Sequence, residues 1–153
     1  GLTTALWCAF FGARHVIVSE LDEGRARMAL RYGATGLVDA RGDVGEQFRA
    51  LAGGPPDLIM ECVGVPGMIA RCVELAPYGG EIVVVGFCMK PDTFVPALAM
   101  AKELTMKFVV AHDKSDFQFV VDMIAAGRVD VAHMVTDVVS FAEFPAAFEA
   151  LRT

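Results

Sequence analysis

Apolar runs alternate with polar, glycine-punctuated stretches along the whole chain, and each run carries the signature of a helix or a strand. Leu2 to Phe11 predicts an apolar helix closed by Gly12 at its C′ position. His15 to Glu20 predicts a strand rich in Val and Ile. Asp22 caps a helix through Tyr32, which Gly33 ends. Gly36 to Asp39 is a short strand, and Val44 to Ala52 a helix stopped by Gly53-Gly54-Pro55-Pro56. Asp57 to Cys62 is a strand, Pro66 to Leu75 a helix with Pro in its first turn, and Glu81 to Val85 a strand. Val95 to Ala101 reads as a helix, Leu104 to Val110 as a strand, and Ser115 to Ala126 as a helix followed by Gly127. Val131 to Val139 reads as extended, and Ser140 opens a last helix with Glu143 completing a capping box.

The cores of the strands, "VIV", "LIM" and "IVVV", do not alternate with polar residues. Strands with that pattern are buried on both faces. Strand and helix in strict succession, with short connections, predict an α/β fold: a doubly wound parallel sheet with helices on both sides. In such a sheet ligands bind beyond the carboxyl ends of the strands. The residues just after each strand are therefore the place to look: Glu20 after the first run, "ECVGVP" from Glu61, and "VVGF" from Val84. Gly64 and Gly86 allow a flat ligand to approach the backbone closely.

Composition agrees and narrows the classes. The chain has 153 residues, about one domain, with 55% hydrophobic and 21% charged residues, enough apolar content for a two-sided core. Formal net charge is −6 with no Lys/Arg run, which argues against nucleic-acid binding and against an acidic membrane surface. The N-terminal apolar stretch is too short to span a bilayer and has no basic lead-in. Cys8, Cys62, Cys72 and Cys88 have no CxxC spacing, so they read as small core residues in a reducing compartment. Met100, Met106, Met123 and Met134 read as core fillers, His15 as a surface residue, and His112 and His133 as loop residues without a catalytic role.

A dinucleotide fingerprint needs a glycine-rich turn, a helix, and an acid about 20 residues further on. Gly1 stands directly before the first helix, and Glu20 lies at that distance. The earlier glycines of the fingerprint are not in the chain, so this is half a motif. Glu20 therefore has two readings, as the point where a strand returns to water or as the acid that holds a ribose.

The stretch "GLTTALWCAFFGARHVIVSELDEGRARMALRYGAT" resembles the nucleotide-binding domain of the medium-chain, zinc-dependent alcohol and polyol dehydrogenases. The likeness continues through "DLIMECVG", "LAPYGGEIVVVG", "KELTMKF" and "FPAAFEAL", so it covers essentially the whole chain. It implies a Rossmann domain that binds NAD. Gly1 and Leu2 would open the helix at the cofactor, and Glu20 would accept hydrogen bonds from the adenosine ribose. A carboxylate there favours NAD over NADP. Arg25 would lie beside the adenosine and soften that discrimination, although it also reads as an ordinary solvated helix charge. Cys62, Val63 and Gly64 would lie near the adenine and its ribose, and Val85, Gly86 and Phe87 near the nicotinamide. Core packing is the competing role for Val63 and Val85.

The resemblance carries further expectations. Zinc would be held by Cys, His and acidic residues of a separate domain, and no such ligand motif occurs here. The first Rossmann strand would precede Gly1, which leaves residues 1–139 as an NAD-binding domain without its opening strand and residues 140–153 as a returning helix. Its neighbours would then face a gap, at about 1–3 kcal/mol for each buried unsatisfied group, so such a chain is not expected to fold well by itself. The implied protein is a cytoplasmic, zinc-dependent dehydrogenase acting on a small alcohol or polyol. A homodimer or homotetramer is implied as well, with a short strand near Asp92 to Val95 pairing across a two-fold axis. Two alternatives stay open: an S-adenosylmethionine-dependent methyltransferase, and a nucleotide-binding scaffold without catalysis.

Overall fold

The computed structural model describes residues 1–151, which form two compact units dividing after Val110. The first unit holds five parallel strands, β1 (Ile17–Glu20), β2 (Gly36–Asp39), β3 (Leu58–Glu61), β4 (Glu81–Val84) and β5 (Thr105–Phe108). Five helices connect or precede them: α1 (Leu2–Phe10), α2 (Glu23–Arg31), α3 (Val44–Ala52), α4 (Met68–Leu75) and α5 (Pro96–Ala101). The hydrogen-bonded order is β1-β2 in one group and β3-β4-β5 in the other. Among the described residues no strand joins β1 to β3. Moving outward from that gap the crossovers run in opposite directions. Right-handed connections then place the helices in two layers, one on each face.

Close helix approaches define these layers. Gly33, at φ +89°, ends α2 so near α1 that a Cβ there would overlap that of Ala9. On the other side a Cβ at Gly45 of α3 would come within 2.9 Å of Leu75 Cδ1 of α4. Glycine at both points leaves room for a side chain of the neighbouring helix. The first layer buries Ala5 and Leu6 of α1 and Ala29 and Tyr32 at the end of α2. Under the second lies the main core: Cys72, Val73 and Ala76 packed on Ile82 and Val84, with Ile59, Leu104 and Met106 at its margin.

Helix ends follow the sequence signals in most places. Asp22 caps α2 by accepting from the Arg25 amide at 2.7 Å, and Asp43 caps α3 through Glu46 at 2.8 Å. The start of α4 differs from expectation. Pro66 does not sit in the first turn; Gly67, at φ +89°, is the N-cap, and Asp92 from the loop after β4 accepts from its amide at 2.7 Å. The other end of α4 is closed by Lys102, whose ammonium donates to the carbonyls of Val73, Glu74 and Ala76 at 2.9, 2.7 and 2.8 Å. A cation on the last carbonyls of a helix satisfies orphan acceptors and complements the helix dipole. Met100 is exposed rather than a core filler, because α5 turns that face outward. Residues 92–95 make no strand pairing within the chain.

The second unit contains α6 (Lys114–Ala125) and α7 (Phe144–Ala150). Asp113 and Asp116 form a capping box on α6. Val131 to Val139 is not a continuous extended run, since Ala132–Met134 coils into one 3-10 turn. Glu143 accepts from the Ser140 amide at 3.0 Å and hydroxyl at 2.6 Å, which lowers its pKa, but the helix begins only at Phe144. The last two residues of the expected 140–153 segment lie outside the described residues.

Lys102→Met keeps the apolar stem and removes the ammonium. Stability should fall by roughly 2 kcal/mol, the scale of charge-assisted hydrogen bonds to buried acceptors. An unchanged urea midpoint would show that the three carbonyls do not depend on it.

Candidate functional site

Parallel register brings the ends of the strands into two short rows. Glu20 lies level with Asp39, and Glu61 level with Val84. Within each group the loops that leave these residues therefore open on the same edge.

Glu61 organises the second row. Only 4% of it is exposed. Its carboxyl Oε1 accepts from the amides of Val63 at 2.6 Å and Gly64 at 2.9 Å. Its backbone carbonyl accepts from the amides of Val85 at 2.8 Å and Gly86 at 2.9 Å. One residue thus fixes the loop after β3 through its side chain and the loop after β4 through its main chain. The two loops touch backbone to backbone. A Cβ on Gly64, at φ +70°, would fall 2.6 Å from the Phe87 nitrogen. A Cβ on Gly86 would overlap both the Gly64 nitrogen and Glu61 Oε2. The loops can meet this closely only because both positions are glycine.

Around this junction the site residues expected from sequence come together. Val63 is 60% exposed and Phe87 is 75% exposed, with Val85 also open to solvent. These apolar side chains stand over the strand ends, so core packing does not account for Val63 or Val85. Cys62 is half-buried, and its thiol donates to Thr4 Oγ1 in the first turn of α1 at 3.4 Å. That contact brings the Gly1–Leu2 end of α1 to the loop after β3. Gly1 is the N-cap of α1 and supplies no side-chain acceptor, whereas α2 and α3 each have an Asp in that role. The first turn of α1 carries no acidic residue, so its amides offer a partial positive charge at that end.

Glu20 ends β1 with 26% of its side chain exposed. Its Oε1 accepts from the amides of Leu21 at 2.7 Å and Asp22 at 3.0 Å. Its Oε2 faces Arg25 Nε at 3.5 Å. Arg25 is thereby brought to Glu20, with its side chain still largely open to solvent. A carboxylate has about four acceptor positions, so Glu20 retains capacity for hydroxyl donors.

Sequence reasoning did not single out Glu61 as a site residue. The signal was present, because "LIME" closes an apolar strand with an acid as "VIVSE" does. Asp92 was also missed, and no local pattern announces a contact 25 positions away. Its carboxyl lies below the usual range, chiefly because the Gly67 amide donates to it, with the Thr93 amide adding to the effect. It ties the loop after β4 to the start of α4.

The chemistry of the chain's own side chains is limited. Among the described residues no group of three His, Cys, Asp or Glu could hold a metal ion. All four cysteines are free, and burial raises the Cys72 thiol to about 11. His15 and His133 are exposed, and His112 packs edge-on to Phe117 at 4.4 Å. The arrangement is suited to holding a ligand across strand ends.

The family comparison narrows the open readings. Residues 1–126 match the zinc-binding dehydrogenase family. The chain belongs to that family. This zinc-binding dehydrogenase domain is 27% identical over 158 residues to D-xylulose reductase A of Aspergillus niger, taking in 99% of the chain and 44% of that protein. It is 26% identical over 157 residues to sorbitol dehydrogenase 1 of Saccharomyces cerevisiae, covering 97% of the chain and 44% of that protein. In fold it is similar to a short chain alcohol dehydrogenase of E. coli CFT073 complexed with NADH, with a TM-score of 0.88, 24% identity, and 99% of the chain matched to 45% of the other. It is also similar to a zinc-binding dehydrogenase of Sinorhizobium meliloti 1021 bound to NADP, with a TM-score of 0.77, 27% identity, and coverage of 88% and 41%. The chain spans less than half the length of these relatives. The Rossmann fold expected from sequence is confirmed, and the methyltransferase alternative finds no support.

Gly86→Ala should lower stability by about 1–3 kcal/mol through overpacking at the loop junction. Gly54→Ala, with nothing within 4 Å of the added Cβ, should be near neutral. Equal thermal midpoints for the two variants would mean that the junction is not closely packed.

Proposed function

We propose that this chain is the NAD-binding part of a zinc-dependent dehydrogenase that oxidises a small alcohol or polyol. The observation that carries the reading is the glycine junction: two strand-end loops pinned by Glu61, with exposed apolar side chains beside them. An extended dinucleotide would run from this junction to Glu20, with the Gly1–Leu2 turn of α1 at the diphosphate. Glu20 would accept from the adenosine ribose, with Arg25 beside it. Cys62, Val63 and Gly64 would flank the adenosine half, and Val85, Gly86 and Phe87 would receive the nicotinamide. The bound nicotinamide supplies the hydride acceptor; the chain orients it and keeps one face dry against Val85 and Phe87.

Zinc and the groups that move the substrate's proton would belong to a part of the protein outside this chain, as would the strand between β1 and β3. In this reading residues 1–139 form the dinucleotide-binding part and 140–153 return toward the remainder. The match to polyol dehydrogenases supports a polyhydroxylated substrate. No helix of the described residues is long and apolar enough to cross a membrane. A cytoplasmic homodimer or homotetramer, free of nucleic acid and membrane, completes the proposal.

Glu20→Ala in the intact protein should weaken NAD by about tenfold or more, the scale of lost charge-assisted hydrogen bonds, and weaken NADP less. Calorimetric titration with both cofactors measures the ratio. Unchanged NAD affinity would contradict the ribose assignment.

A further inference from the structure

The corner around Glu20 contains a second cation that the ribose assignment leaves without a task. Arg41 comes after β2, yet its guanidinium reaches across to the end of β1. Its Nη2 donates to the carbonyl of Leu21, the residue after Glu20, at 3.1 Å. Its Nη1 pairs with Asp39 Oδ1 at 3.4 Å. The loop that carries it is held at several points. Asp39 Oδ1 accepts from the Arg41 amide at 2.9 Å, Gln47 donates to the Asp39 carbonyl at 3.0 Å, and Arg71 Nη2 donates to the Ala40 carbonyl at 3.4 Å. Arg41 is therefore preorganised, with 65% of its side chain still open to solvent. A guanidinium has five N–H donors, so two contacts leave others available over the strand ends.

The charge at Glu20 is correspondingly muted. Two backbone amides hold Oε1 and Arg25 faces Oε2. An approaching anion meets Glu20 compensated by Arg25, and beside it Arg41, which is paired with Asp39 but keeps N–H donors to spare. An arginine near the ribose acid is the arrangement that accommodates a 2′-phosphate, and its planar fork matches phosphate oxygens.

We propose that Arg41, together with Arg25, forms a cationic rim at the adenosine-ribose corner that accepts a 2′-phosphate. This makes the Glu20 preference for NAD graded instead of absolute. Arg41 is a specificity-determining residue in this account. The inference rests on the dinucleotide reading, and the test separates the two.

The intact protein is titrated calorimetrically with 5′-AMP and with 2′,5′-ADP, for the wild type, Arg41→Gln and Arg41→Lys. Wild type should bind both ligands within about tenfold of each other. Arg41→Gln should lose about tenfold for 2′,5′-ADP and less than about twofold for 5′-AMP, with Arg41→Lys between, as expected for loss of a charged phosphate contact. The 2′,5′-ADP affinity should also fall more steeply with salt in the wild type than in Arg41→Gln. Equal losses for the two ligands would show that Arg41 only supports the loop, and overturn the proposal. So would a wild type that binds 5′-AMP but rejects 2′,5′-ADP. Failure to bind 5′-AMP at all would overturn the dinucleotide reading itself.

Discussion

The double grip of Glu61 on two neighbouring loops is the constraint on which the rest of this structure depends. A carboxyl group buried at a strand end is costly unless its oxygens find donors. Here Oε1 takes the amides of Val63 and Gly64 in the loop that leaves its own strand, and the backbone carbonyl takes the amides of Val85 and Gly86 in the next strand's loop. Those four hydrogen bonds force the loops together, and the contact is so close that only glycine can stand at positions 64 and 86. The side chains on either side, Val63, Val85 and Phe87, are then left facing outward. Exposed apolar groups over a rigid backbone ledge are costly in a monomer and useful to a flat ligand.

The rest of the first unit holds that ledge in place. Asp92 ties the loop after β4 to the start of α4, and Lys102 closes the other end of the same helix, so α4 is clamped between residues that come after β4. Cys62 ties the loop after β3 to α1. The strand ends at Glu20 and Asp39 are joined through Arg41. Each cross-link unites elements far apart in sequence. The two strand groups share no hydrogen-bonded strand, so these loop and helix contacts are what bring their carboxyl ends together.

Much of this was legible in the sequence. Unbroken runs such as "IVVV" announced strands buried on both faces, and the glycines after helices announced their ends; Gly12, Gly33 and Gly127 all take positive φ as those signals require. Glu20 stood out because an acid at the end of an apolar run has few reasons to be there. What the sequence hid was non-local. Nothing near Asp92, Lys102 or Arg41 reveals a partner more than 15 positions away, so each looked like an ordinary surface charge. The errors have the same origin. Pro66 resembled a first-turn residue until Asp92 took over the capping of α4, Met100 resembled a core residue until α5 was oriented, and residues 131–139 had strand composition without a neighbouring strand to pair with.

The central claim is that a nicotinamide dinucleotide lies along this edge with its adenosine at Glu20 and its nicotinamide at the Gly64–Gly86 junction. A crystal structure of the intact protein grown with NAD tests it most directly. The account predicts ribose hydroxyls within about 2.6–3.2 Å of the Glu20 carboxylate and the nicotinamide ring against Val85 and Phe87. A cofactor bound elsewhere, or a Glu20 side chain turned away from the ribose, would contradict it.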